Sequence, residues 1–495
     1  MSNTSATEIK YPVTTRAFGM AIIVLSGLQL MVVLDGTVAN LALAPLQADL
    51  GLSDAGRNWV LTSYALAFGG LMLLGGRLGD AFGRKKMFLA GVVLFTIASL
   101  LCGLAVNEAT LVAARALQGV GAAVASPTAF ALVATTFAPG PVRNQAIAIY
   151  AAMTGVGSIA GLIIGGALTE VSWRWIFLIN VPIGIVIVVL AVVSLQETVG
   201  AKLALDVPGA ILATLGCTGV VLALSEGTEL GWSSPIVIVS LIAGLLFLGL
   251  FLLVERRAEN PLLPFSLFVS RDRVATFVAI FFAGGVMFCL AAYVALFVQD
   301  ILGYSPLHAG LAFVPFAFGL GAAAFLASQL VTRIAPRWLI LCGAVIMVGW
   351  LLVSVTTMDA DSAYFPGLFF PVIGIGFGVG LTVVPLPLCA IAGVSPTEIG
   401  PLTAISLVAQ TLGGPLALAV IEALVTSRTL SLGGISGPAT LMNDSQLDAL
   451  SSGYMFALFC CAVCAVIAGI AALFIRFTPQ QVAQAQAAQE DAQKG

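Results

Sequence analysis

The sequence predicts an all-α polytopic membrane protein with fourteen spans, arranged as two six-helix bundles and an inserted helix pair. Of its 495 residues, 60% are hydrophobic and only 9% are charged, against roughly 25% charged in soluble domains. Mean hydropathy is +1.10. The apolar runs are long and continuous, as in 87–106, which excludes the alternating strands of about ten residues that build a β-barrel. A soluble enzyme, a disordered chain and, at a net charge of −3, a nucleic-acid-binding protein are also excluded.

The number of spans follows from the length of the apolar runs. A membrane helix needs about 20 apolar residues. Runs of that kind cover residues 17–44, 57–76, 86–106, 109–135, 144–168, 175–195, 206–225, 235–254, 273–298, 307–331, 338–357, 364–391, 401–426 and 453–475. Two are weaker: 206–225 starts directly after a polar stretch, and 364–391 contains four prolines, which membrane helices tolerate where neighbours satisfy the freed backbone groups.

Basic residues set the orientation, because cytoplasmic loops carry an excess of lysine and arginine. With both termini inside, only Arg57, Arg174 and Arg428 lie outside, and Arg115 is the one base within a span. The remaining 16 of the 20 basic residues fall inside. We therefore expect both termini to be cytoplasmic, and we call the two faces of the protein the inner and outer ends.

The domain organisation follows from the spans and from a faint internal repeat. Shifting Ser53–Gly91 onto Ser305–Gly343 aligns similar residues in corresponding spans. Parallel halves of this kind are one plan for transporters. The predicted segments are a cytoplasmic N-terminus at 1–16, an N-terminal bundle at 17–200, an inserted helix pair at 201–256, a C-terminal bundle at 257–476 and a polar cytoplasmic tail at 477–495.

A glycine-rich and basic motif occupies the inner loop after the second span. It contains Gly76, Asp80, Gly83, Arg84 and Lys85. The glycines permit a tight turn, the aspartate suits the positive end of a neighbouring helix, and the arginine suits nearby carboxylates. The segment resembles motif A of the major facilitator superfamily, although alanine follows the aspartate where the family has a basic residue. The resemblance implies a loop that latches the two halves together in one state of a transport cycle.

Two ionisable residues lie within the first and fourth spans. Asp35, in Leu34-Asp35-Gly36-Thr37, resembles the first-helix motif of the 14-span drug:proton antiporters of this superfamily, and Arg115 opens a segment similar to its motif B. A charge in a membrane span costs about 2.5–3.5 kcal/mol on insertion scales, so it is a functional hypothesis by default. Their depths allow a pair in which Asp35 binds and releases protons as Arg115 moves. The alternative is a static ion pair that holds two spans together.

Motif C, the antiporter signature of the fifth span, is matched in its glycines. Gly157, Gly161, Gly165 and Gly166 allow close packing of helices. Leu162 stands where the family has proline, so the resemblance implies antiport less directly here than at the other motifs.

The remaining candidate residues are an acidic residue and a set of apolar ones. Glu422, near the outer end of the thirteenth span, belongs either to a proton path or to the membrane interface. Residues that would line an apolar substrate cavity are Met153, Phe281, Met287, Phe288, Tyr293 and Phe316. Such a cavity suits a lipophilic ligand held mainly by apolar contact.

Cofactors and metals are not predicted. The eight cysteines lie in apolar runs, where they pack as small hydrophobes, and the single histidine provides no ligand set for a metal. No nucleophile with a matching base is visible, so the sequence does not predict an enzyme.

The resemblance covers the whole chain and implies a multi-pass exporter in the cytoplasmic membrane that works by alternating access. The first hypothesis is proton-coupled export of lipophilic compounds, that is, multidrug efflux. The alternative is transport of endogenous phospholipids or lysolipids, with drug efflux incidental. The expected partners are therefore protons, lipophilic small molecules or lipids, and membrane lipid; no nucleic acid is expected.

Overall fold

The computed structural model describes residues 16–137, 141–197, 206–258, 270–358, 363–394, 396–482 and 484. The N-terminus at 1–15 and nearly all of the C-terminal tail beyond 482 lie outside this part of the chain. Helices account for most of the described residues, and no strand occurs among them. The helices are α1 Arg16–Leu50, α2 Asp54–Phe82, α3 Arg84–Gly103, α4 Glu108–Thr136, α5 Pro141–Val171, α6 Arg174–Leu178, α7 Asn180–Ser194, α8 Val207–Glu229, α9 Pro235–Glu255, α10 Arg271–Leu296, α11 Pro306–Ala312, α12 Val314–Leu330, α13 Pro336–Thr357, α14 Tyr364–Gly367, α15 Phe369–Val383, α16 Pro385–Ala390, α17 Pro396–Ser431 and α18 Asp444–Leu473.

The described residues form fourteen segments that are long and apolar enough to cross a membrane, which confirms the predicted number. Three of these segments are interrupted helices, namely α6 with α7, α11 with α12, and α14 with α15 and α16. A fourth, α10, ends in a wider π-helical turn at Phe297–Ile301. The proline-rich span, predicted as one run at 364–391, is broken at its prolines: α15 ends at Val383 because Pro385 lacks a backbone N–H, and α16 begins at that proline.

The last outer loop is shorter than the sequence suggested. The apolar pattern placed the last span at 453–475 and left the residues before it as a loop. In the structure α17 runs to Ser431 and α18 begins at Asp444. Asn443 and Gln446 form a capping box at the start of α18. Because the first turns of this helix are polar, the apolar run in the sequence begins only after the helix has begun. The loop is therefore 432–443, and the predicted boundary at 453 was wrong.

The same helix pairings occur on both sides of the inserted pair. In the first half α1 packs on α5, α2 on α4 and α3 on α7; in the second half α10 packs on α17, α12 on α15 and α13 on α18. Helices α8 and α9 pack on each other, and α8 also contacts α2 and α17. The inserted pair therefore lies beside the seam between the helices before it and those after it.

The two sides of the chain touch each other near their outer ends. α2 packs on α17 and α5 packs on α11. A Cβ atom added at Gly166 would lie 2.6 Å from Leu307 Cα, so only glycine permits this approach. Ser305 donates a 2.5 Å hydrogen bond to Glu170 across the same contact. The structure is therefore closed at its outer end.

Candidate functional site: two buried polar networks and a glycine-rich seam

Asp35 and Arg115 form a buried ion pair in the first half. Arg115 Nη1 lies 2.7 Å from Asp35 Oδ2, and both side chains are 1% exposed. Gln118 Nε2 and Asn180 Nδ2 both donate to Asp35 Oδ1, at 2.7 and 2.8 Å. Ser99 Oγ accepts a second hydrogen bond from the Gln118 amide at 2.7 Å. Side chains of α4 and α7 thus meet at the carboxylate of α1, and Ser99 of α3 contacts it indirectly through Gln118.

The Arg115 guanidinium is held on all sides. Its Nε donates to the carbonyl oxygen of Val60 at 2.9 Å, and its Nη1 also donates to Gln118 Oε1 at 2.7 Å. Its Cζ lies 4.4 Å from the centroid of the Tyr64 ring, a cation–π distance. Gln118 lies in the motif B segment that Arg115 opens. Asn180 was not singled out in the sequence, where its only signal is an amide in an apolar run. We call Asp35, Arg115, Gln118, Asn180 and Ser99 the inner network. Here inner means deeper in the bundle than the second network described below, not nearer the inner end of the protein.

The Asp35 carboxylate and the Arg115 guanidinium stabilise each other only when both are charged. Burying one carboxylate or one guanidinium alone is costly, and the pair with its hydrogen bonds offsets that cost. Loss of either charge alone would leave the other one buried without its partner.

A second buried network joins the two halves at the outer end. Arg57 Nη2 on α2 lies 3.7 Å from Glu422 Oε1 on α17, and each side chain is 4% exposed. Tyr293 of α10 donates a 2.5 Å hydrogen bond to Glu422 Oε2. On the other side Arg57 donates to Gln47 at 2.9 Å and lies 3.5 Å from Asp54.

Two further residues complete this outer network. Tyr454 of α18 donates to Asp300 at 2.8 Å, and both lie within electrostatic reach of Arg57. The backbone N–H of Gly437, in the outer loop, donates to Asp54 at 3.2 Å. We call Asp54, Arg57, Tyr293, Asp300, Glu422 and Tyr454 the outer network.

The structure changes the placement of two residues from the sequence analysis. Arg57 was counted with the outside loops, yet it is 3% exposed and packed between helices, so Arg115 is not the only buried base. Tyr293, a candidate for the cavity wall, is 1% exposed and bonded to Glu422. Neither placement is visible in hydropathy, because each depends on Glu422, which is distant from both residues in the chain.

The motif A loop is bonded within the first half. Arg84 donates twice to Asp80 Oδ1, at 2.9 and 2.8 Å. Gly83 separates α2 from α3 with φ at 101°, a conformation that favours glycine. Gly76 precedes this turn and packs against Pro127 of α4.

Lys85 and Glu197 connect this loop to the end of α7. Lys85 Nζ donates to the carbonyl oxygens of Val192 and Leu195, at 2.8 and 2.6 Å, and so caps α7 at its C-terminus. Glu197 accepts from the backbone N–H groups of Lys85 and Lys86, at 3.2 and 3.1 Å. The carboxylate at the start of α3 is therefore Glu197, which the sequence analysis missed. The latch between halves stays a prediction.

The motif C glycines lie where α5 meets other helices. A Cβ added at Gly157, Gly161 or Gly165 would contact α1 at 3.1, 3.0 or 2.6 Å, while one at Gly166 would strike α11 of the other half. With Leu162 in place of proline, α5 is continuous from Pro141 to Val171. These glycines therefore set the distance of α5 from both neighbours.

The apolar cavity candidates are spread over three helices. Met153 is half-buried on α5, beside an exposed hydrogen bond of 3.0 Å from Gln29 to Thr154. On α10, Phe281 is half-buried, Met287 is 39% exposed, and Phe288 packs on Gly414. Phe316 of α12 is half-buried beside α15. A shared cavity for these residues stays a prediction.

Within the described ranges no group of three or more histidine, cysteine, aspartate or glutamate residues could hold a metal ion. All eight cysteines lie in these ranges and are free thiols.

A fold of paired bundles with buried charges in its spans defines a polytopic membrane transporter, and comparison with known proteins specifies the family. The Major Facilitator Superfamily profile matches residues 25–418, and the chain belongs to that family. It is therefore a multi-pass protein of the bacterial cell membrane.

Individual relatives match nearly the whole chain. The uncharacterized MFS-type transporter EfpA of Mycobacterium tuberculosis is 55% identical over 476 residues, which are 96% of this chain and 90% of EfpA. The puromycin resistance protein pur8 of Streptomyces alboniger is 38% identical over 467 residues, 93% of this chain and 92% of that protein. A bacterial homologue of the human lysosomal transporter Spinster, solved inward-facing and unoccupied, has the same fold: its TM-score is 0.67 at 16% identity, covering 94% of this chain and 100% of that one.

Proposed function

We propose that this protein is a secondary active exporter of lipophilic and amphipathic compounds, coupled to protons and working by alternating access. Two six-helix bundles, at 17–200 and 257–476, would move against each other, with 201–256 as the inserted pair. The observation that carries the proposal is the buried Asp35–Arg115 pair within the membrane spans. Resistance and export proteins among the relatives support the direction of transport and the kind of substrate.

Proton coupling is assigned to the inner network. Asp35 is the group that binds the proton, and Arg115 is the counter-charge that responds to it. Gln118 and Asn180 orient the carboxylate with two hydrogen bonds. Because all these partners come from first-half helices, protonation there changes the packing of that bundle before it changes the contact between halves.

Lipid transport is the second candidate. Leu162 in place of the motif C proline weakens the likeness to drug antiporters, and α5 is correspondingly unbroken. An endogenous phospholipid or lysolipid would use the same apolar surfaces, with drug efflux incidental.

Transport in proteoliposomes tests the proposal. With an imposed pH gradient, we expect the chain to move an ethidium-like cation, and Asp35→Asn to abolish this gradient-driven movement. Asp35→Asn should still exchange labelled for unlabelled substrate without a gradient, which separates lost coupling from lost folding. The matched control is Asp49→Asn, an exposed aspartate of the same helix, which should transport normally.

The outcomes distinguish the candidates. Full gradient-driven transport by Asp35→Asn would overturn the assignment of the proton site. No cation movement, in liposomes where a labelled lysolipid does cross, would favour the lipid transporter.

A further inference from the structure

We infer that the outer network is a proton-operated gate: protonation of Glu422 from the outside releases Arg57 and lets the outer ends of the two halves separate. This inference rests on the proposed alternating access but concerns different residues from the inner network. It assigns to Glu422 control of opening, whereas Asp35 couples the proton gradient to transport.

The charge balance of the outer network favours binding of a proton. Asp54, Glu422 and Asp300 provide three carboxyl groups, and Arg57 is the one guanidinium paired with them. Tyr293 and Tyr454 are the other titratable side chains that face this site, from α10 and α18. Three carboxylates against one guanidinium leave two excess negative charges in a largely buried site, which is costly, and one bound proton reduces the excess to a single charge.

The bond that holds the halves together here is also the weakest in the network. Arg57 is anchored to its own half by the hydrogen bond to Gln47 and the ion pair with Asp54. Its contact with Glu422, at 3.7 Å, is beyond hydrogen-bond distance and depends on charge alone. Neutralising Glu422 therefore weakens the attraction across the seam to what Asp300 and the Gly437–Asp54 hydrogen bond provide, while Tyr293 continues to hold the Glu422 side chain on the second half.

A small cavity borders the outer network at its outer side. A cavity of about 10 Å³, close to the smallest that holds one water molecule, is bounded by Arg57, Glu422 and the loop residues Ile435 and Ser436. Arg57 Nε is buried and has no hydrogen-bond partner among the described residues, so one strong donor is available to a water there. The outer loop forms part of the cavity wall through Ile435 and Ser436, and Ile435 is 40% exposed.

Cysteine accessibility tests the gate without measuring transport. Val425 is 4% exposed and lines the same cavity, so Val425→Cys reports opening when a membrane-impermeant maleimide is added outside. Ser431→Cys, exposed at the end of the same helix, gives the rate of an open position. Rates are taken above the background of the native cysteines.

We expect the labelling rate of Val425→Cys, divided by that of Ser431→Cys at the same pH, to rise about tenfold between pH 8 and pH 5. The division is needed because the thiolate is the reactive form of both cysteines, and its fraction falls at low pH. Added Glu422→Gln should keep this ratio high at every pH, because glutamine imitates the protonated side chain. Asp448→Asn, an exposed outer carboxylate outside the network, should leave the pH response unchanged.

Two results would overturn the gate: a ratio of Val425→Cys to Ser431→Cys labelling that is flat across this pH range, or a low ratio in the Glu422→Gln variant at every pH. The test also separates this inference from the proposed function. Adding Asp35→Asn should abolish gradient-driven transport yet keep the pH-dependent labelling, so failure of either assay identifies which assignment is wrong.

Discussion

The loss of folding free energy when Arg115 is left without its charged partner is the most direct quantity that the structure predicts. Asp35→Asn removes the negative charge 2.7 Å from a guanidinium that is 1% exposed. Losing one partner of a buried pair costs about 3–5 kcal/mol, because the other charge is left without compensation. Since Arg115 keeps hydrogen bonds to Gln118 and Val60, we expect the lower part of that range.

A second variant isolates the stranded charge as the cause. Asp35→Asn combined with Arg115→Met removes the unpaired guanidinium, so the double variant should recover at least about 1 kcal/mol of the loss. The assay is the apparent stability in detergent, followed by tryptophan fluorescence on heating or in denaturant. The expected order is wild type, then the double variant, then Asp35→Asn. A double variant less stable than Asp35→Asn alone would refute the reasoning, as would a single variant as stable as wild type.

Three other variants test separate parts of the structure. Gly166→Ala places a Cβ 2.6 Å from Leu307 Cα and should lower transport several-fold, whereas Gly155→Ala, with open space around it, should be neutral in the same transport assay. Glu197→Gln removes a charge from the first turn of α3 and should cost about 0.3–1 kcal/mol in detergent stability; no change would show that its two backbone bonds do not need the charge. Asp49→Asn breaks an exposed ion pair and should change the same stability by less than about 1 kcal/mol; a larger loss would place this pair among the structural contacts.

The number of spans could be predicted because hydropathy is a local property. Each apolar run of about 20 residues buries its own backbone hydrogen bonds in a helix and needs no information from other segments. Asp35 and Arg115 were found for the same reason, since a charge in such a run is conspicuous by itself. The boundary of α18 was missed because its first turns are polar.

What only the tertiary structure decided is which side chains meet. Asn180 donates to Asp35 from 145 positions away, and Tyr293 bonds to Glu422 across 129. Arg57 looked like a loop residue because it is the first residue of its apolar run, at the outer edge, yet packing of α2 against α17 buries it. The sequence by itself determined where the chain crosses the membrane and where charge enters the spans. The partners that make those charges stable, and the closed outer end, arise only from the packing of helices that are distant in the chain.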